Sequence, residues 1–310
     1  MIKQKLFMKK KVDFDRDLKG PDTYEFFNEI SKECQKMYIG LMKWQLYLLM
    51  LIAIISLFPV VEKWPEWVEQ VKQVTLVVSL VAVLILMIVQ YSKNYMEGWQ
   101  KSRFLAESIL SNTWLLFFKH EKYDLPFNDA IETFHKRIKE MKEEIDVKQF
   151  LSFAKKPNID HDVPMWVKEN FDVSMSDKKE FYLKYRLRDQ MNWYYKKASY
   201  NKRNSTNYFI GALIAMGIGL VLTILVMINW IPNLSYLSFF TTVAASVFSW
   251  KQTKRFDELK TTYSVSSDEL DDFKKTLLLE KSEEEVKEII FDTEKAISRE
   301  HKLWFSKVFE

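Results

Sequence analysis

One cysteine, four histidines, six glycines and seven prolines are a thin supply, over 310 residues, of the types that build disulfides, metal centres and tight turns. The single Cys34 excludes an internal disulfide and any cysteine-only metal cluster within one chain, and a reducing compartment is the simplest surrounding for it. Scarce glycine and proline disfavour a turn-rich sheet protein and favour long helices. The usual motifs of chemistry are missing too: there is no Walker-type loop, no Gly-x-Ser-x-Gly, no His-Glu-x-x-His and no Cys–His cluster. We therefore expect no enzyme, no cofactor and no metal. Asp160, His161 and Asp162 come nearest to a ligand set, but three consecutive residues do not converge easily on one ion, so they read as solvated linker. His301 reads as an interface histidine on the apolar side of the last helix, and Glu283, Glu284 and Glu285 as acids favoured at a helix N-terminus.

Charge is absent from one long stretch altogether: no charged side chain occurs from Asn204 to Trp250. The net charge of +4 and mean hydropathy of −0.21 look soluble only because uncharged blocks are averaged with blocks dense in Lys and Glu. Crossing a bilayer takes about 20 mostly apolar residues, or roughly 17 with snorkelling ends. Four segments meet this: Trp44–Val61, Gln73–Tyr91, Tyr208–Trp230 and Leu234–Trp250. Buried helices of a soluble protein rarely come four at a time, uncharged and in close pairs. The expected fold is an all-α integral membrane protein of two helical membrane hairpins, four transmembrane helices in all, with long cytoplasmic helices forming bundles.

Cations set the expected orientation. The connections "EKWPEWVEQVK" and "IPN" carry two lysines between them, whereas Lys36, Lys43, Lys93, Lys101, Arg103, Lys196, Lys197, Lys202, Arg203, Lys251, Lys254 and Arg255 crowd the opposite flanks. The positive-inside rule then places both termini and the long central segment of a multi-pass membrane protein in the cytoplasm. Trp44, Tyr91, Trp230 and Trp250 end the spans as interfacial rings do. The basic-aromatic run "YYKKASYNKR" suits anionic lipid headgroups, and its place beside a span favours membrane lipid over nucleic acid as partner.

Around the spans the periodicity is helical. Phe27, Ile30, Cys34, Met37 and Leu41 share a face after a cap at Thr23. Phe104, Leu110, Trp114 and Phe117 continue a helix up to Pro126, and Ile131, Phe134, Ile138, Met141 and Ile145 line the next. Leu183, Leu187, Met191 and Tyr194 lead into the third span, Phe256, Leu259 and Tyr263 leave the fourth, and a capping box Ser282–Glu285 opens a last helix bearing Val286, Ile290, Ile297 and Trp304. This divides the chain into a basic segment 1–22, a first unit 23–146 (spans 44–61 and 73–91), a linker 147–177 and a second unit 178–310 (spans 208–230 and 234–250). The same order of elements occurs twice, with a short echo in Trp99, Arg103, Phe104 and Trp250, Arg255, Phe256, so a duplication is expected.

The spans hold no ionisable group, which argues against ion-coupled transport and voltage sensing. Gly211, Ala215 and Gly219 recur four apart, the spacing for close helix approach, and are the helix-packing candidates. Ser238, Thr242, Ala245, Ser246 and Ser249 give the fourth span a mildly polar side. That side suits either simple packing, with hydroxyls bonded to backbone carbonyls, or a wettable pore wall. The second alternative makes Ser238, Thr242, Ser246 and Ser249 pore-lining candidates and requires a homo-oligomer, because four spans do not easily enclose a channel.

The second half, "YLKYRLRDQMNWYYKKASYNKR", a hairpin, "RFDELKTTY" and "EKAISREHKLW", resembles the SLATT family of two-span membrane effector domains, through Leu187, Gln190, Trp193, Tyr194 and Lys197 and the terminal Glu300 and Trp304. The first half is similar to a more divergent unit through Trp99, Arg103 and Ala106–Glu107. The resemblance implies a tandem effector of bacterial anti-phage conflict systems that perforates or depolarises the inner membrane on a cue from a cytoplasmic sensor protein or a nucleotide second messenger. It supplies no catalytic residues. Gln190, Trp193, Tyr194, Lys197, Trp99, Arg103, Trp250, Arg255 and Trp304 are then candidates for coupling helices to membrane. The alternative is a non-conducting scaffold that recruits a cytoplasmic partner through its amphipathic helices.

Overall fold

The computed structural model describes residues 19–58, 65–153, 163–232, 234–279 and 281–309, with side chains as far as Ser298. Among the described residues the chain is helical, without a strand. Among the described residues ten α-helices follow one another: α1 Asp22–Leu57, α2 Glu66–Lys93, α3 Tyr95–Phe117, α4 Phe127–Glu144, α5 Met165–Asn170, α6 Met175–Tyr182, α7 Arg188–Met227, α8 Tyr236–Thr253, α9 Phe256–Leu278 and α10 Glu283–Phe309. A π turn, Leu183–Leu187, joins α6 to α7, and 3₁₀ turns occupy Glu121–Tyr123 and Lys148–Phe153.

These helices sort into two compact units. The core unit takes the chain up to Glu33, Glu97–Gln190 and Asp268 onward. The stripes expected from periodicity are its interior: Phe27, Ile30, Phe134, Ile138, Met141, Leu187, Val286, Ile290 and Ile297 are all buried. Trp114 stands among Trp166, Phe117, Phe181 and Tyr182 with ring centroids 4.7 to 6.0 Å apart, and such pairs contribute about 0.5–1.5 kcal/mol each beyond their burial. The span-bearing unit comprises Cys34–Met96 and Met191–Ser267. Its helices turn apolar side chains outward, with Val78 61%, Ile88 66% and Leu220 60% exposed. Water penalises such a surface; lipid does not.

Among the described residues three helical stretches are long and apolar enough to cross a membrane: Asp22–Leu57, Glu66–Phe117 and Met175–Met227. The expected fourth span is corrected here. α8 has 18 residues, and that one window already contains Lys251, Gln252, Tyr236 and six serine or threonine side chains, so it is too polar to qualify alone. Described residues of the expected linker 147–177 belong to the core unit. Phe150, Val163, Trp166, Val167 and Phe171 are buried, α5 lies within it, and the Trp166 indole nitrogen donates to Lys19 O at 3.1 Å. Pro164 stands at the start of α5, where its missing N–H costs nothing, and does not exclude the segment from the core. Asp160, His161 and Asp162 fall outside the described residues. Thr23 lies inside α1, which begins one residue earlier, and α3 ends at Phe117 well ahead of Pro126. The capping box forms as expected: Glu285 N donates to Ser282 Oγ at 3.3 Å, and Ser282 N donates to a Glu285 oxygen at 2.9 Å.

Candidate functional site

The strongest electrostatic feature of the core unit is a buried ion pair. Arg186 sits in the π turn between α6 and α7, where one extra residue per turn re-aims the side chains. Its Nε donates to Glu294 Oε1 at 3.0 Å and its Nη2 to Oε2 at 2.9 Å, a two-pronged pair with exposures of 4% and 1%. The same carboxylate accepts from the Tyr182 hydroxyl and from Ser111 Oγ, both at 2.8 Å. Burial works against the Arg186 charge, and the adjoining Glu294 carboxylate overcomes it and holds the guanidinium pKa above its ordinary value. Burial, then Glu294, pushes the Tyr182 hydroxyl well up, so Tyr182 stays a donor. Four carboxylate bonds thus tie α10 to α3, to the end of α6 and to the π turn. Removing any one partner strands a buried charge or dipole.

Lys178 is the second buried charge. Its ammonium donates to Phe117 O and Phe171 O, each at 2.7 Å, and lies 5.1 and 5.5 Å from the centroids of those rings. Burial draws its pKa down to about 8. Sequence patterning did not single out Arg186, Glu294, Tyr182, Ser111 or Lys178. One signal was present: Glu294 interrupts the apolar face marked by Ile290 and Ile297, and a charge there requires a partner.

In the span-bearing unit, Gly219 marks the closest helix approach. A Cβ there would meet the Phe240 Cβ at 2.7 Å, and one at Gly211 would sit 3.9 Å from Val247 Cγ1. Ala215, between them, is buried. The small-residue stripe of α7 is accordingly the seam against α8 of the same chain. The hydroxyls of α8 part company. Ser246 is buried, Thr242 is half-buried and donates to Ser238 O at 2.8 Å, while Ser238 and Ser249 are exposed. The first hairpin is held differently, by an amide pair in which Gln45 Nε2 donates to Gln90 Oε1 at 2.8 Å.

The candidates for coupling fall into three clusters. Trp193 and Tyr194 pack on Tyr263 at 5.2 and 5.6 Å, and Lys197 lies over Trp193 at 5.7 Å. Trp250 donates through its indole to the Tyr208 hydroxyl at 3.2 Å, beneath Lys43 and Lys254 at 5.6 and 5.2 Å from its ring. Close by, Asp257 gathers Lys251, Lys260 and Ser205, whose hydrogen bonds hold its carboxyl well below the usual range. In the core unit Trp99 O accepts from Ser31 Oγ at 3.3 Å, and Arg103 bonds Asn28 at 3.0 Å and Glu107 at 2.6 Å. Gln190 is half-buried, and the Trp304 side chain lies outside the described residues. The Trp–Arg–Phe echo is not a structural equivalence. The returning arm of each hairpin breaks at a left-handed residue, Asn94 (φ 44°) and Arg255 (φ 52°), so the break precedes Trp99 in one half and follows Trp250 in the other. Arg255 bonds Glu258 three residues on.

A bundle with a buried ionic clasp is thus joined by chain to strongly apolar helices. Residues 21–163 match the SMODS and SLOG-associating 2TM effector domain 3, and residues 182–304 match the SMODS and SLOG-associating 2TM effector domain 1. The class so defined is the two-transmembrane effector domain that accompanies SMODS and SLOG systems. The chain belongs to the SLATT family and carries two of its domains in tandem. No curated protein and no solved structure matches it.

Proposed function

We propose that this tandem SLATT protein is an inner-membrane effector of a bacterial conflict system that depolarises the cell when a cytoplasmic sensor or a nucleotide signal changes the packing of its core unit. The observation that carries the reading is the scant burial of its apolar helices: only 11% of the most apolar window of each candidate span is buried within the chain. Such surface calls for lipid, or for further copies of the chain. In this reading both termini and the core unit are cytoplasmic, and α8 crosses the bilayer only in company. Its seam residues are covered by α7, and its exposed Ser238 and Ser249 face a lumen shared between subunits. The Arg186–Glu294 clasp supplies the two-state element, because a buried ion pair is either fully formed or costly to hold.

The test is membrane potential, read by a voltage-sensitive dye in cells making the protein, beside dye efflux from liposomes containing the purified chain. Depolarisation in both is expected once the activating neighbours are supplied, and S238L/S249L should abolish it at unchanged protein level. Full conductance in that variant would remove α8 from the lumen. No leak in either setting would favour the non-conducting scaffold.

A further inference from the structure

We propose that the core unit binds a divalent transition-metal cation, zinc being the best fit, through His120, Glu121 and Glu288. The imidazole, one carboxylate oxygen of Glu121 and one of Glu288 lie within 4.8 Å of one another. His120 is 3% exposed, and among the described residues its Nε2 has no hydrogen-bond partner. A buried imidazole nitrogen is rarely left so, because its desolvation goes uncompensated. Nε2 faces Glu288 Oε1 at 3.4 Å. That is long for a hydrogen bond, yet it is the separation of two ligands that each sit about 2.0–2.2 Å from a tetrahedral zinc, roughly 3.4 Å.

The ring is held in place from several sides. It stacks on Phe291 with centroids 4.7 Å apart and planes 4° from parallel, its backbone nitrogen donates to Leu115 O at 3.1 Å, and its carbonyl accepts from Tyr123 N at 3.0 Å. Phe291 and Glu288 lie one turn apart on α10, so the helix that fixes the imidazole also presents the carboxylate. The neighbouring lysines are engaged elsewhere, Lys287 with Asp124 and Glu284 and Lys119 with Asp172. Among the described residues neither Glu121 nor Glu288 is within salt-bridge distance of a lysine or arginine. One nitrogen and two oxygens favour zinc over the all-oxygen cages of calcium and magnesium. Three protein ligands also leave a fourth position for water on the exposed side of the carboxylates. The ion would bridge the turn after α3 to α10. Occupancy would then stabilise the packing that the Arg186–Glu294 clasp also holds, by mass action.

Full-length protein in detergent, stripped with chelator, is titrated with cobalt(II) and then zinc(II). One equivalent of cobalt should bind with the strong visible absorption of a low-coordinate site, zinc should displace it, and the thermal midpoint should rise. E288Q and E121Q should each weaken binding at least about tenfold and remove the thermal shift. Both side chains reach solvent, so these variants keep the fold even where H120N does not. Absence of stoichiometric binding overturns the proposal. So does unchanged affinity in E288Q, which would assign the ion to His135, His161 or His301.

Discussion

In the core unit a guanidinium and a carboxylate meet almost wholly out of water; in the span-bearing unit a glycine lets one helix approach a phenylalanine of the next so closely that a Cβ would not fit. The difference follows from what surrounds each. A unit with water outside can bury Phe, Trp and Ile for stability and still accommodate one satisfied ion pair that selects a single arrangement. A unit whose outer surface is as apolar as its inside gains little from burial, so its helices are held by close approach, amides and hydroxyls. The same chain therefore carries a specific, charge-based lock and a seam of small residues.

Removing the lock should have the largest effect. E294Q leaves Arg186 charged and buried without a counter-ion and should destabilise the core unit by about 3–5 kcal/mol, read by chemical unfolding of the full chain in detergent. R186M/E294M should recover most of that loss, and a double variant as unstable as the single one would refute the account. The seam comes next. G219V places a methyl-bearing carbon where Phe240 already sits and should cost about 1–3 kcal/mol, with partial rescue by F240A. The last, most gradual effect sharpens the contrast through pH. The folded Lys178 releases its proton near 8, against an ordinary value of 10.5. Between those values the unfolded chain holds a proton that the folded chain has lost, so stability rises with pH there, by up to about 1.4 kcal/mol per unit, and is flat below. The urea midpoint measured from pH 7 to 10 should show this rise, and K178M should flatten it.

Helices and their buried stripes were legible because a 3.6-residue period survives in any one segment, as Ile131, Phe134, Ile138 and Met141 show. The capping box at Ser282 was legible for the same local reason. Membership of the family was legible in the basic-aromatic run before the second hairpin. The partners of Glu294 were not, because Ser111, Tyr182 and Arg186 reach it from distant parts of the chain and no local period encodes that meeting. The π turn adds a residue that helical spacing does not count. His120 escaped notice since Lys119 and Glu121, beside it, both adopt left-handed backbone without being glycine (φ 54° and 43°), a turn that no residue type announces. α8 was over-read as a full span because counting uncharged residues ignores its hydroxyls.

One feature of the hairpins has a mechanical side. In each, the outgoing arm is an unbroken helix, α1 and α7, while the returning arm is cut at a single left-handed residue, Asn94 or Arg255. An unbroken helix hands on both thrust and twist along its axis. A rod jointed at one residue hands on thrust but lets twist slip at the joint. Each hairpin is thus a piston beside a swivel, and a rotation fed into both arms would reach the far end through only one of them.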